Sequence, residues 1–303
     1  MMMLLMSVFL FGMTHPFGKV FLDSDISLQS FCLVFLALRI LFQLPVVSIN
    51  KEFKVSSKKN LILLVVLGLI GAALHLSEFA SLKFGLSVPA VSFLIFTHPI
   101  WTQLIRSFLF KEQLTAIKVS KVLIAVFAIS LILIPENFMG INYIPFLIAF
   151  FASVAFSLWI IFSEKIQDGG VSTIQLSFYY DVFSLLFVSL SVLVFIPVSP
   201  LVVEISSLKY NHWLSLLFYS LFVGVIANYL FFIGIKKCGS MQASLALLLE
   251  PIISSFISFL LFSTHLDPVF YLGALLILLI NLPDRLFSKF ISSFFQKRRV
   301  SQL

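Results

Sequence analysis

The chain has 303 residues, 60% of them hydrophobic and only 11% charged, with a formal net charge of +7. Soluble domains carry about a quarter of charged residues, so this composition excludes a soluble fold and points to an all-α integral membrane protein. The basic excess falls in short segments between apolar runs, where it reads as membrane topology and not as a nucleic-acid surface.

Apolar runs of about 18 to 24 residues recur from end to end, each able to cross about 30 Å of hydrocarbon at about 1.5 Å per residue. Cutting them at polar punctuation places ten spans near 3–22, 26–48, 61–82, 87–109, 117–134, 142–164, 173–197, 213–235, 240–263 and 267–283. The first run, Leu4 to Leu22, has no basic residue ahead of it and carries His15, Pro16 and Lys19 where a secretory signal needs an apolar centre, so it reads as a retained helix. Asp23-Ser24-Asp25, Pro135-Glu136-Asn137, Gly169-Gly170, Pro197 to Pro200 and Asp267-Pro268 each favour a turn. If the spans alternate, sixteen of the 20 Lys and Arg collect on one side, with Lys19, Lys83 and Lys209 on the other and Arg39 inside a span. Lys and Arg accumulate in short cytoplasmic loops, so both termini are expected in the cytoplasm. The segment 284–303, with Lys297-Arg298-Arg299, reads as a basic cytoplasmic tail drawn to anionic lipid. Cys32 and Cys238 fall in different spans and match no metal or redox spacing, so no metal site or cofactor is expected.

The second half repeats the first. Laying 90–115 over 242–267, a shift of 152 without a gap, gives seven identities in 26 positions, among them Ser92 with Ser244, Pro99 with Pro251 and Ile100 with Ile252. The shift pairs the fourth span with the ninth, as five spans plus five require. Five crossings are odd, so the second copy enters from the opposite side, the inverted-repeat plan of many secondary transporters.

Several motifs sit on this frame. The first copy has Phe79-Ala80-Ser81-Leu82-Lys83-Phe84-Gly85, Thr97-His98-Pro99 and Leu109-Phe110-Lys111-Glu112-Gln113-Leu114; the second has Gly234-Ile235-Lys236-Lys237-Cys238-Gly239 and Leu249-Glu250-Pro251. With Arg39-Ile40-Leu41-Phe42 in the second span, the chain resembles the drug/metabolite transporter superfamily, in particular its EamA-type ten-helix members, over nearly its whole length. The resemblance implies two inverted five-helix repeats at 1–134 and 141–283 and a small-molecule substrate, drawn from a range that covers amino acids, nucleotide-like metabolites, sugars and drugs. Two positions depart from the family pattern: His98 stands where Glu is commoner, and Ser263-Thr264-His265 stands where a Gly-Glu pair is usual.

Ionisable side chains at membrane depth cost from about 2.5 kcal/mol upward, so each is a candidate for function. Glu250 and His98 occupy equivalent positions in the two copies, each before a proline that removes a helix hydrogen bond, and a two-fold axis would bring both to one cavity. The alternative is that they bond the backbone carbonyls those prolines free. Trp101 shares a face with His98, and His75 with Glu78, at spacings of three. His15 beside Pro16, Tyr180 next to Asp181, and Asn228 are further candidates. Arg39 can hold an anion or pair with an acid, and pairing is the expectation. Trp159 and Trp213 read as interfacial aromatics.

Two carboxylates, histidines and aromatics suit an amphoteric or cationic solute. The expected function is therefore a secondary transporter that moves an amino acid or S-adenosylmethionine-like metabolite across a bacterial inner membrane by alternating access, as a monomer or homodimer. No G-x-x-x-x-G-K loop is present, so protons or a counter-substrate are the expected coupling partners. H-E-x-x-H, G-x-S-x-G and paired intramembrane aspartates are absent, so no catalytic residues and no enzyme are expected. The alternative is a membrane sensor or assembly factor without flux, which would normally bring a larger soluble domain.

Overall fold

The computed structural model describes residues 2–23, 26–55, 57–110, 116–133, 143–195, 198–263, 268–280, 282 and 285–289. Ser24-Asp25, the Lys111 to Leu114 part of the fourth-span motif, Pro135-Glu136-Asn137, Pro197, Thr264-His265, Asp267 and all of the basic tail but 285–289 lie outside these residues.

The described elements are all helical: α1 (Met2–Phe11), α2 (Thr14–Leu22), α3 (Leu28–Asn50), α4 (Lys58–Lys83), α5 (Val88–Ile95), α6 (His98–Phe110), α7 (Ala116–Leu133), α8 (Tyr143–Asp168), α9 (Thr173–Phe195), α10 (Val198–Ser206), α11 (Tyr210–Tyr219), a π-helical segment (Ser220–Ile226), α12 (Ala227–Ala246), a 3₁₀ turn (Leu247–Leu249), α13 (Glu250–Phe262) and α14 (Pro268–Ile280). Among the described residues, seven helices are long and apolar enough to cross a membrane, and Glu250–Phe262 and Tyr271–Ile280 are shorter apolar helices. Large apolar side chains such as Ile49 and Phe108 point outward and are 80% and 87% exposed, a surface that only hydrocarbon would cover. The chain is a multi-pass membrane protein.

Local chemistry sets where helices start. Ser27, Ser57 and Ser87 cap α3, α4 and α5, each accepting a hydrogen bond from a backbone N–H of the first turn. Gly85 and Gly239 have positive φ (99° and 79°), the first at the turn after α4 and the second at a kink inside α12.

Three expected spans are not continuous. The first breaks at Gly12-Met13, between α1 and α2; the fourth at Phe96-Thr97, before His98-Pro99; the ninth at the 3₁₀ turn before Glu250-Pro251. Pro99 has no N–H to give Ile95, and the Ser153 hydroxyl donates to the Ile95 carbonyl instead, at 3.0 Å. Thr97 Oγ1 donates to the Leu94 carbonyl (2.8 Å) and Ser157 Oγ to that of His98 (2.6 Å). Hydroxyls thus satisfy the carbonyls that His98 was a candidate to serve. The stretch expected to turn at Pro197 to Pro200 instead opens α10, since a proline in a first helical turn forfeits no internal bond.

Packing follows the repeat. α4 lies along α8 and α9, while in the other half α12 lies along α1 and the π-segment along α3. Moving each partner on by five spans turns the first set into the second. Of the five pairs such an exchange maps onto themselves, α3 with α9, α5 with α13 and α7 with α14 pack.

Candidate functional site

Helices from both halves meet around a cavity with about 60 Å³ open to the centres of water molecules. At about 10–15 Å³ per water centre, that holds roughly five waters. His15, His75, Glu78, Tyr180, Asn228 and Glu250 all line it. Six of the eight residues singled out from the sequence are therefore brought together.

His15 is the hub. Its Nε2 is 3.3 Å from Glu78 Oε1 and its Nδ1 is 4.0 Å from Glu250 Oε1. Nδ1 is also hydrogen-bonded to Ser92 Oγ (3.0 Å), which in turn meets Ser254 Oγ at 2.9 Å. The break at Gly12-Met13 starts α2 one residue before His15, and Gly12 has no side chain because one would collide with Ile253. One imidazole thus stands between carboxyl groups from the two halves, with all three side chains buried.

His75 lies 3.1 Å from the Tyr180 hydroxyl through Nε2, and Asn228 donates Nδ2 to the Gly224 carbonyl at 2.7 Å. The rest of the wall is aromatic: Trp159 stacks on Phe156 (5.4 Å, 10°) and on Phe231 (5.2 Å, 7°). His75 Nδ1 and Trp159 Nε1, both on side chains that line the cavity, have no hydrogen-bond partner among the described residues. Buried polar atoms are rarely left so, and these two are ready to meet a bound solute or water. Arg39 also lines the cavity and pairs with Asp181, Nη2 to Oδ1 at 2.6 Å, so these two charges cancel.

His98 and Trp101 do not line the cavity. The His98 ring is fully buried, edge-on to Phe156 at 4.7 Å and to Phe96 at 5.6 Å. Trp101 is partly exposed and packs edge-on against Phe150 at 5.0 Å. The matching position in the second copy, Glu250, does face the cavity, so equivalent residues turn to different surroundings. Trp159 is 2% exposed and is not an interfacial aromatic. The sequence reading missed Ser92, Ser254 and Trp159; serine is so frequent in transmembrane helices that its type carries no signal, whereas a tryptophan well inside a span was a signal that interfacial preference masked.

Away from the cavity, polar side chains tie helix ends together. Where α2 and α4 finish, Lys83 Nζ donates to the carbonyls of Leu22 (2.6 Å) and Ile26 (3.3 Å). Where α8 finishes, Arg106 reaches Glu164 (3.0 Å) and Ser240 (3.0 Å), and Ser240 Oγ donates to Glu164 at 2.6 Å.

The family model described as "EamA-like transporter family" matches residues 1–134 and 143–280. No curated protein matches the chain. One solved crystal structure covers 92% of this chain and 94% of its own, with a TM-score of 0.64 and 16% sequence identity. At that identity the likeness is one of fold.

Proposed function

Because the chain belongs to the EamA-like transporter family, which consists of transporters and not enzymes, we propose that it is a secondary transporter carrying a small amphoteric or cationic metabolite by alternating access around the His15 cavity. Glu78 and Glu250, one from each half, flank His15 in a chamber rich in aromatic side chains, and that single arrangement carries the reading. With Arg39 and Asp181 cancelled, the unbalanced groups are carboxyls, and a positive amine is the solute that complements them. The faces of Trp159 and Phe156 suit the same cation. The unpartnered nitrogens of His75 and Trp159 suit the polar remainder of the solute. The small size of the chamber favours an amino acid over an S-adenosylmethionine-like compound, which would need a wider state. Protons or a counter-substrate complete the cycle. We place the ten crossings in a bacterial inner membrane with both termini in the cytoplasm, on the charge bias of the loops.

Counterflow uptake in proteoliposomes tests this, with labelled amino acids and S-adenosylmethionine offered in turn to the native chain and to Glu250→Gln. Uptake of one probe is expected, reduced at least about tenfold in the variant, the loss that removal of a charged hydrogen-bonding partner gives. Uptake untouched by Glu250→Gln removes Glu250 from the site. Native protein that is folded and monodisperse yet takes up no probe overturns the substrate class.

A further inference from the structure

A second cavity lies one helical turn along from the first. It sits among α3, α9, the π-segment and α12, with about 770 Å³ free of protein atoms and about 300 Å³ open to water centres, against about 60 Å³ in the central chamber. Gln43, Ser177 and Tyr229 in its wall are each about one turn or less from Arg39, Tyr180 and Asn228 in the wall of the first. α3 finishes at Asn50 and α9 starts at Thr173, so the second chamber lies toward the end of the molecule where Lys51 and Lys165 stand.

One cluster links a residue lining the first space, Arg39, to one lining the second, Gln43. Arg39 holds both oxygens of Asp181, Nε to Oδ2 at 3.0 Å and Nη2 to Oδ1 at 2.6 Å. Gln43 Nε2 donates to the same Oδ2 and to the Arg39 carbonyl. The guanidinium lies over the rings of Phe35 (5.1 Å) and Tyr180 (5.6 Å). The Arg39 stem passes so close to Gly224 that a Cβ there would come within 2.8 Å of its Cγ and Cδ. Gly224 belongs to the π-segment, which lines the first chamber with Val223 and the second with Leu221, Val225 and Ile226. A π-turn is a local departure from the α-helical ladder and is found mostly at functional sites. It stands here at the wall both chambers share.

We propose that Arg39, Gln43 and Asp181 form the partition between two chambers of one solute path, and that the second chamber is a binding vestibule on the Lys-rich side. None of the residues lining the vestibule is charged, and it offers the Gln43 amide and the hydroxyls of Ser177 and Tyr229. Ser177 Oγ is buried and has no partner among the described residues. The vestibule therefore takes a small amphipathic solute through hydrogen bonds and apolar contact, and ion pairing begins only beyond the partition. The inference rests on the carrier reading of the central cavity.

Cysteine reactivity tests it without measuring flux. In a background with Cys32 and Cys238 replaced by Ala, Ser177→Cys reports on the vestibule and Thr14→Cys on the central chamber. A membrane-impermeant methanethiosulfonate is applied to vesicles of either orientation. Ser177→Cys is expected to react from the Lys-rich face and Thr14→Cys far more slowly. Adding Gln43→Ala should raise the Thr14→Cys rate from that face about fivefold to tenfold, the population shift expected for one lost hydrogen bond, and leave the Ser177→Cys rate unchanged. Asp181→Asn should raise it further; if that variant does not fold, Gln43→Ala keeps the ion pair and decides the matter. Equal rates at the two sites in the intact protein, no response to Gln43→Ala, or a Ser177→Cys that reacts from neither face because lipid fills the space would each overturn the proposal. Flux that survives such a result sinks the partition and leaves the carrier reading standing.

Discussion

Arg39 and Asp181 have side chains no more than 1% exposed, and each is the other's counter-charge. Removing one partner of a buried pair strands the other, at about 3–5 kcal/mol, whereas replacing both by neutral groups of similar shape is often close to neutral. Arg39→Gln is therefore expected to lower the thermal midpoint in detergent well below that of the double variant Arg39→Gln/Asp181→Asn. A single variant as stable as the double would show that the pair contributes nothing to holding α3 and α9 together. That Arg39 pairs with an acid was legible in the sequence, because an unpaired charge does not survive in hydrocarbon. Which acid it meets was not, since Asp181 lies 142 residues away and only the packing of α3 on α9 joins them. The same limit separates Glu250 from His98. Both precede a proline at matching places in the repeat, yet which way each side chain turns is decided by neighbours, and Phe156 claims the His98 ring.

At the scale of elements, each of the three broken spans carries a proline just beyond its break, Pro16, Pro99 and Pro251; Pro16 has no N–H to give the Gly12 carbonyl, and there Gly12 also closes on Ile253. The short helix α10 was hidden by prolines read as a turn. It is tied to the start of α3 through Glu204, which accepts from the Ser27 backbone (3.1 Å) and from Ser30 Oγ (2.7 Å). Partial burial raises the Glu204 carboxyl, but these hydrogen bonds and the Lys83 ammonium outweigh it and hold it below the ordinary value of 4.5. A carboxyl depressed in the folded state contributes stability that is in place above its unfolded value and lost as pH falls through its folded one. Hydrogen exchange of the amides from Ile26 to Phe31, corrected for intrinsic rate, should stay flat from about pH 8 to 5 and rise below about 4. Exchange that rises instead between pH 7 and 5 would assign the titration to another group.

At the scale of the whole molecule the family model matches the chain twice, over 1–134 and 143–280, and the offset of 152 residues between 90–115 and 242–267 pointed to such a repeat before any coordinates. The cavity between the halves was less readable, because its hub combines His15 from an irregular first span with Ser92 and Ser254, residues too ordinary to stand out. The unlike pair at the two proline breaks, His98 inside the packing and Glu250 on the cavity, has a kinetic consequence. Perfect two-fold halves would make the states open to either side mirror images of equal free energy. Here the exchange of halves does not restore the same chemistry, so on the proposed carrier cycle the empty protein is expected to rest more in one orientation than in the other. The final gradient is fixed by thermodynamics alone, but half-saturating concentrations should differ between right-side-out and inverted vesicles, and identical values on both faces would refute the inequality. On that proposal the molecule would act as a rectifier: its standing bias would set how quickly each direction runs, and the gradient where the solute comes to rest.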